Sequence, residues 1–329
     1  VQGCLLLCSR THGLLGTSQR SRHAAVSAVQ IELANGVRLE AEQAGPERGI
    51  PLVLITGLGL QLTAWPESFM RGLHERGFRT LRFDNRDAGL SSRVRGQRTS
   101  DIRTEAMRSM IGLSVRAPYT LQDMAGDVTG LMDALGLTQA HVVGVSMGGM
   151  IGQVLAATAS QRVRSFVSIM SSSGATRFRF HVTPATRAVL TPPPRGADED
   201  RLLDHYVHIW SLISSPGMQP PADQLRARLK ADLRRSGGDA SGTARQLLAI
   251  MHSGDRRKLL RSISAPTLVL HGEADPLVPL AAGEDTARHI PGARFEAVAG
   301  MGHDLPEPLV PRLVQAIAGH CAPAAATRA

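Results

Sequence analysis

The run Pro51-Leu52-Val53-Leu54-Ile55 contains no polar side chain and stops at Thr56-Gly57-Leu58-Gly59. A continuous apolar run of this length suits a strand covered on both faces, and such strands belong to parallel sheets sandwiched between helices. The rest of the chain repeats the theme. Residues 79–83, the Val142, Val143, Val145 segment, 163–170, Thr267-Leu268-Val269-Leu270 and 293–298 read as further strands. Between them lie helical patterns: residues 66–76 with Pro66 in the first turn, and Leu121, Met124, Ala125, Val128, Leu131, Met132 and Leu135 at helical spacing before Gly136. A helix over Met147–Ala159 and a closing helix over Leu309–Ala318 complete the alternation. Strands alternating with helices predict a mostly parallel central sheet with helices on both faces.

Two regions depart from this rhythm. Val29, Ile31 and Leu33, then Val37, Leu39 and Ala41, alternate with polar neighbours on either side of Asn35-Gly36. That pattern predicts an antiparallel hairpin joined by a two-residue turn, opening the domain near Ala28. Residues 172–262 lose the strand signal and carry helical patterns, including Leu202, Leu203, Tyr206, Ile209, Trp210 and Ile213, between a Pro192-Pro193-Pro194 loop and a Ser236-Gly237-Gly238 loop. The expected organisation is a core over 28–171 and 263–320, a helical cap inserted over 172–262, and a flexible tail over 321–329. Residues 1–27 hold Arg10, Arg20 and Arg22, several serines and no acidic residue. They resemble a transit peptide and are read as a non-structural extension.

Composition narrows the function classes. The formal net charge is +9, but only Lys230 and Lys258 are lysines, and the arginines are scattered without interleaved aromatics, which make up 3% of the chain. A nucleic-acid surface wants clustered cations beside stacking rings, so that partner is not expected. No apolar run approaches the roughly 20 residues of a membrane span. Cys4, Cys8 and Cys321 lie near the ends, read as outside the core, and form neither a disulfide framework nor a zinc spacing. The expectation is a cytoplasmic protein acting on a small molecule, without metal or organic cofactor.

The chemistry-bearing motif is Gly144-Val145-Ser146-Met147-Gly148, at a strand end and a helix start. This is the context of the nucleophile elbow, where glycines let neighbouring backbone close in and the serine stands exposed above the sheet. Downstream come Asp275, in His271-Gly272-Glu273-Ala274-Asp275-Pro276, and His303, in Gly300-Met301-Gly302-His303-Asp304. Each follows a strand, so all three reach the carboxyl edge, where open α/β sheets build their sites. A serine needs a base to take its proton, histidine titrates near neutrality, and a carboxylate holds the imidazole's tautomer. Glu273 is the competing acid, nearer its strand. His271 is expected to pack within its strand, His141 to sit at the wrong edge, and Asp304 to bond within its loop. Asp123, Asp127 and Asp133 read as a solvated helix face. Backbone N–H groups of Leu58 and Met147 are the candidate oxyanion donors. Met150, Tyr206, Trp210 and Met251 are candidate pocket residues, with simple cap or core packing as the stronger reading.

Thr56-Gly57-Leu58-Gly59 with Trp65-Pro66, the segment Phe83-Asp84-Asn85-Arg86-Asp87-Ala88-Gly89-Leu90-Ser91, the elbow, and Ser253-Gly254-Asp255-Arg256 together resemble α/β-hydrolase superfamily esterases, in particular the aclacinomycin methylesterase type. The resemblance spans about residues 28–320. It implies the α/β-hydrolase fold, with Ser146, Asp275 and His303 as catalytic triad and Leu58 and Met147 at the oxyanion. It also implies that the Asp84 segment orders the loop beside the elbow. The expected activity is hydrolysis of small to medium hydrophobic carboxylic esters. Lactone, C–C bond and cofactor-free perhydrolase chemistry on the same triad are alternatives, and a non-catalytic ligand receptor is a remote one.

Overall fold

The computed structural model describes residues 23–94, 102–111, 113–179, 182–194, 196–238 and 241–322. Eight strands form one sheet: β1 (His23–Glu32), β2 (Arg38–Pro46), β3 (Ile50–Ile55), β4 (Phe78–Phe83), β5 (Ala140–Val145), β6 (Val163–Ile169), β7 (Thr267–Gly272) and β8 (Arg294–Val298). Their spatial order is β1-β2-β4-β3-β5-β6-β7-β8. β1 and β2 pair antiparallel, as do β2 and β4, and every later pairing is parallel. The chain therefore leaves β3 to one side for β4 and returns on its other side for β5. That reversal makes a switch point, and the crevice beyond the carboxyl ends of β3 and β5 is where such sheets bind ligands.

The opening hairpin differs from expectation in two respects. β1 starts at His23, pairing with Pro46, upstream of the first clear alternation. The turn is not a two-residue one. Leu33 N–H bonds the Val37 carbonyl and Gly36 N–H the Leu33 carbonyl, with Gly36 at φ +77°, so three residues form the loop. This is the three-residue arrangement in which a type I turn is followed by a left-handed glycine.

Alternate residues of the strands feed two cores, as strand geometry requires. Val53, Ile55, Leu81 and Val142 point to one face, covered by α3 (Leu121–Ala134) and α4 (Met147–Thr158). Leu52, Leu54, Val143, Val145 and Val167 point to the other, covered by α1 (Glu67–Glu75) and α12 (Val310–Cys321). Thr120 caps α3 with a reciprocal Thr120–Asp123 box, and Gly136, at φ +66°, follows its last turn. Cys321 corrects the reading of the cysteines: it is 2% exposed and packs in the second core. Cys4 and Cys8 lie outside the described residues.

Between β6 and β7 the chain runs through α5 (Thr176–Arg179), α6 (Pro184–Leu190), α7 (Glu199–Ile213), α8 (Ala222–Ser236), α9 (Ser241–Ser253) and α10 (Arg257–Leu260), before α11 (Leu280–His289) joins β7 to β8. α7 and α8 bury Leu203, Leu225 and Leu229 in a small core of their own. Ion pairs tie this insertion to the sheet domain. Arg235 of α8 meets Asp84 at 2.6 Å, and Arg245 of α9 grips Asp87 with two bonds of 2.8 and 2.7 Å.

Candidate active site

The elbow is built by close backbone contact. Ser146 sits between β5 and α4 at φ +54°, ψ −117°, a region that L-residues rarely adopt. A Cβ on Gly144 would come within 2.2 Å of the Gly148 carbonyl oxygen, and one on Gly148 within 2.0 Å of the Ile55 carbonyl oxygen. Both positions therefore accept only glycine, which lets α4 start directly over the ends of β3 and β5. Ser146 N–H bonds the Ile169 carbonyl at 2.9 Å, and Ser171 Oγ donates to the Ser146 carbonyl at 2.7 Å. Ser146 itself stays half-buried.

Its side chain meets the two residues expected from downstream loops. His303 Nε2 lies 3.0 Å from Ser146 Oγ, and His303 Nδ1 lies 2.7 Å from Asp275 Oδ2. The other carboxylate oxygen of Asp275 accepts the N–H groups of Leu277 and Val278 at 2.9 and 2.8 Å. Burial opposes the charge on this carboxyl. Even so, His303, His271 and the Val278 N–H hold it below the ordinary carboxylate range. Gly272 is needed here too, because a Cβ on it would lie 2.1 Å from the Met301 carbonyl oxygen. The loops after β7 and β8 thus press together, bringing the carboxylate to the imidazole.

The competing residues fall where the sequence placed them, except Asp304, which bonds outside its own loop, and Asp127. Glu273 is exposed. His271 is fully buried and bonds the Val278 carbonyl at 2.9 Å; burial lowers its pKa. His141 is on β5, bonded to Ser165 at 2.8 Å and lowered to about 4 by burial. Asp304 accepts both the N–H and the hydroxyl of Ser215. Asp123 and Asp133 are exposed, but Asp127 is a correction. It is 2% exposed and forms a bidentate pair with Arg86, both bonds 2.6 Å. Position 127 lies on α3's inner face, and the buried Arg86 makes a charge there tenable.

The 57–60 loop lies against the serine: a Cβ on Gly57 would be 3.4 Å from Ser146 Cβ. Met147 begins α4, and among the described residues neither its N–H nor that of Leu58 donates to a protein acceptor. Asn85 donates to the Thr56 carbonyl and hydroxyl at 3.3 and 3.2 Å, and Asp84 accepts the Leu62 N–H at 2.7 Å, so the Asp84 segment does order this loop. The pocket residues divide differently. Met150, on α4, packs in the first core. Tyr206 and Trp210 pack against the α7–α8 core, with the Arg228 guanidinium 4.5 Å above the Trp210 ring. Met251 lines an open depression of about 270 Å³ with Ser109, Leu113, Ser114, Val115, His252 and Gly254, a lining that does not include Ser146.

Several site-supporting residues carry no motif. His303 N–H bonds the Ile213 carbonyl at 2.8 Å, and Ser215 Oγ accepts the Gly302 N–H at 2.8 Å. Gln246 bonds Gly59 and Arg86. The one signal for α9 was polarity on its inner face. Arg245 shares a helical stripe with Leu248 and Ala249, all buried.

A serine, imidazole and carboxylate in series at the switch point of such a sheet define a hydrolase site of the nucleophile-elbow kind. The chain matches the alpha/beta hydrolase fold family over residues 50–307 and belongs to it. It is 28% identical to rhodomycin D methylesterase DauP of Streptomyces sp. (strain C5), covering 86% of this chain and 95% of that protein. It is 24% identical to 3-oxoadipate enol-lactonase 1 of Acinetobacter baylyi (strain ATCC 33305 / BD413 / ADP1), covering 83% and 89%. Among solved structures it is similar in fold to a meta-cleavage product hydrolase of Pseudomonas fluorescens IP01, with a TM-score of 0.70 at 19% identity over 89% of this chain and 96% of that one.

Proposed function

We propose that the chain hydrolyses carboxylic esters through an acyl-enzyme on Ser146. The observation that carries this reading is the unbroken relay from Ser146 Oγ to His303 Nε2, at 3.0 Å, and from His303 Nδ1 to Asp275 Oδ2, at 2.7 Å. Ser146 Oγ attacks the ester carbonyl carbon while its proton passes to His303 Nε2. The carbonyl electron pair moves onto oxygen, where the N–H groups of Leu58 and Met147 receive it. The tetrahedral adduct collapses, and the alcohol leaves with the proton from His303. Water then attacks the acyl-enzyme, with His303 again taking a proton and returning it to Ser146 as the acid departs. Asp275 keeps the Nδ1 proton in place and stabilises the imidazolium. The chemistry uses no metal or organic cofactor.

Substrate selection falls to the helices of residues 172–262, acting as a cap over the switch point. Small to medium hydrophobic esters suit it, and the rhodomycin D methylesterases, 28% and 27% identical to this chain, support an ester with a small alcohol. Lactone hydrolysis uses the same steps, and the enol-lactonase relative supports it as the second reading. Purified protein should release p-nitrophenol from short acyl esters and take up a fluorophosphonate label, and Ser146→Ala should abolish both. A variant that keeps full activity would overturn the assignment. A panel varying the acyl and alcohol parts, with lactones included, separates the two readings.

A further inference from the structure

Gln246 lies on the inserted helix α9, is fully buried, and touches two loops of the sheet domain. Its Oε1 accepts the Gly59 N–H at 2.8 Å, and its Nε2 donates to the Arg86 carbonyl at 2.8 Å. A donor on one side and an acceptor on the other leave only one amide orientation that satisfies both. Burial of an amide without such partners is costly, so the side chain and the two loops hold each other.

The bond to Gly59 falls on the turn that carries the oxyanion donor. Leu60 N–H reaches the Gly57 carbonyl at 3.3 Å, closing a four-residue turn with Leu58 and Gly59 at its centre. Gly59 has φ +68°, the left-handed value found at the third position of a type II turn. Gln246 thus holds the central Leu58–Gly59 peptide, and it bears on the Leu58 N–H, which belongs to the preceding Gly57–Leu58 peptide, by fixing the place of the whole turn through the shared Leu58 Cα. Thr243 of the same helix closes the other side, with its Oγ1 2.8 Å from where a Cβ on Gly59 would lie. The neighbouring Arg245 anchors the helix on Asp87.

We propose that Gln246 is a positioning residue for catalysis: it locks the 57–60 turn so that the Leu58 N–H faces the oxyanion forming at Ser146. The inserted helices are then part of the catalytic apparatus as well as a cover. This rests on the reading of Ser146 as nucleophile and Leu58 as oxyanion donor.

Gln246→Met keeps length and bulk and removes both bonds. Loss of a whole oxyanion donor lowers kcat by about 10²–10³, so loss of its positioning should lower kcat by about 10- to 100-fold on p-nitrophenyl butyrate. KM should stay within about threefold, because an interaction made only in the transition state leaves ground-state binding untouched. Affinity for an alkyl boronic acid, whose tetrahedral adduct puts an oxygen where the oxyanion forms, should fall in step with kcat/KM. Gln246→Glu provides a second readout. Once protonated, the introduced carboxyl again offers one donor and one acceptor, so the ratio of its kcat to the wild-type kcat should rise as pH is lowered. A packing role alone predicts a constant ratio. The proposal fails if folded Gln246→Met keeps kcat within threefold, if kcat falls without a matching loss of boronic acid affinity, or if the Gln246→Glu ratio is flat with pH at a level well below one. Ser146→Ala distinguishes the levels. Full activity in that variant removes the underlying reading. Inactivity there, beside a fully active Gln246→Met, removes only the role of Gln246.

Discussion

Asp275→Asn tests the relay at its least exposed point. The two carboxylate oxygens have different partners, which fixes how an asparagine must sit. One accepts the N–H groups of Leu277 and Val278 at 2.9 and 2.8 Å, so the amide oxygen must take that place. The amide NH₂ then faces His303 Nδ1, where the carboxylate oxygen stood at 2.7 Å. Nδ1 becomes an acceptor, and the neutral ring carries its proton on Nε2, pointing at Ser146 Oγ. A nitrogen already bearing a proton cannot take one from serine. Holding the wrong tautomer costs a triad enzyme about 10⁴ in kcat, equivalent to about 5 kcal/mol. The assay is initial-rate release of p-nitrophenol from a short acyl ester at neutral pH, with circular dichroism to establish folding. A folded variant keeping a tenth or more of wild-type kcat would refute the geometry. Stability gives an independent check. The Asp275 carboxyl is held below its ordinary range in the fold, so it contributes stability above its unfolded value of about 3.9 and loses it as pH falls through the lower folded value. The wild-type advantage over Asp275→Asn in urea unfolding should therefore shrink below about pH 4.

Other perturbations address the frame around the relay. Gly148→Ala would place a Cβ 2.0 Å from the Ile55 carbonyl oxygen, so urea unfolding should show a loss of about 1–3 kcal/mol or more, with esterase activity falling alongside. Arg245→Met leaves the Asp87 carboxylate, whose side chain is 0% exposed, without its cation; the expected loss in chemical unfolding is about 3–5 kcal/mol. His141 is lowered to about 4 by burial, so below about pH 6.5 the unfolded chain takes up a proton that the fold refuses. Stability should drop on acidification from about 6.5 to 4 by up to about 3 kcal/mol, and His141→Leu should flatten that part of the profile.

What could be read from the sequence was whatever the backbone alone dictates. The parallel strands announce themselves because both their faces are covered, and the elbow because its glycines answer steric contacts that no other residue meets. Asp275 and His303 were legible because chain order and strand ends place them at one edge. Asn-Gly does not by itself settle the hairpin turn, because it serves both two-residue loops and a three-residue loop closed by a left-handed glycine. Gly36 is that glycine, at φ +77°. Helical spacing alone does not place Asp127, because it does not reveal the buried Arg86 that receives its charge. The apolar pattern of the closing helix ends at Ala318, whereas α12 runs on to Cys321 and carries it into the core. Ser215 and Gln246 were invisible for a deeper reason: their partners are 89 and 187 residues away in the chain.

The buried charges around the elbow follow a common logic. Asp84 holds Arg235 of α8, Arg86 holds Asp127 of α3, and Asp87 holds Arg245 of α9. Three charges within four residues thus reach three different helices, two of them in the insertion. Net stabilisation does not account for such pairs, since desolvation cancels much of their attraction and apolar replacements often serve as well. Direction does account for them. The Arg86–Asp127 and Arg245–Asp87 contacts are bidentate and tolerate little change in angle, whereas apolar side chains slide past one another; Arg235 adds a single bond to Asp84. Asp87 adopts φ +68°, a strained value that has to be held by its surroundings. Arg245 on its carboxylate, and the Val94 N–H at 2.9 Å, do that holding. The same helix then delivers Gln246 to the 57–60 turn, while the end of α7 delivers Ile213 and Ser215 to the His303 loop. The insertion therefore grips both sides of the crevice, the turn beside Ser146 and the loop of His303. The ion pairs at the Asp84 segment set the angle of that grip.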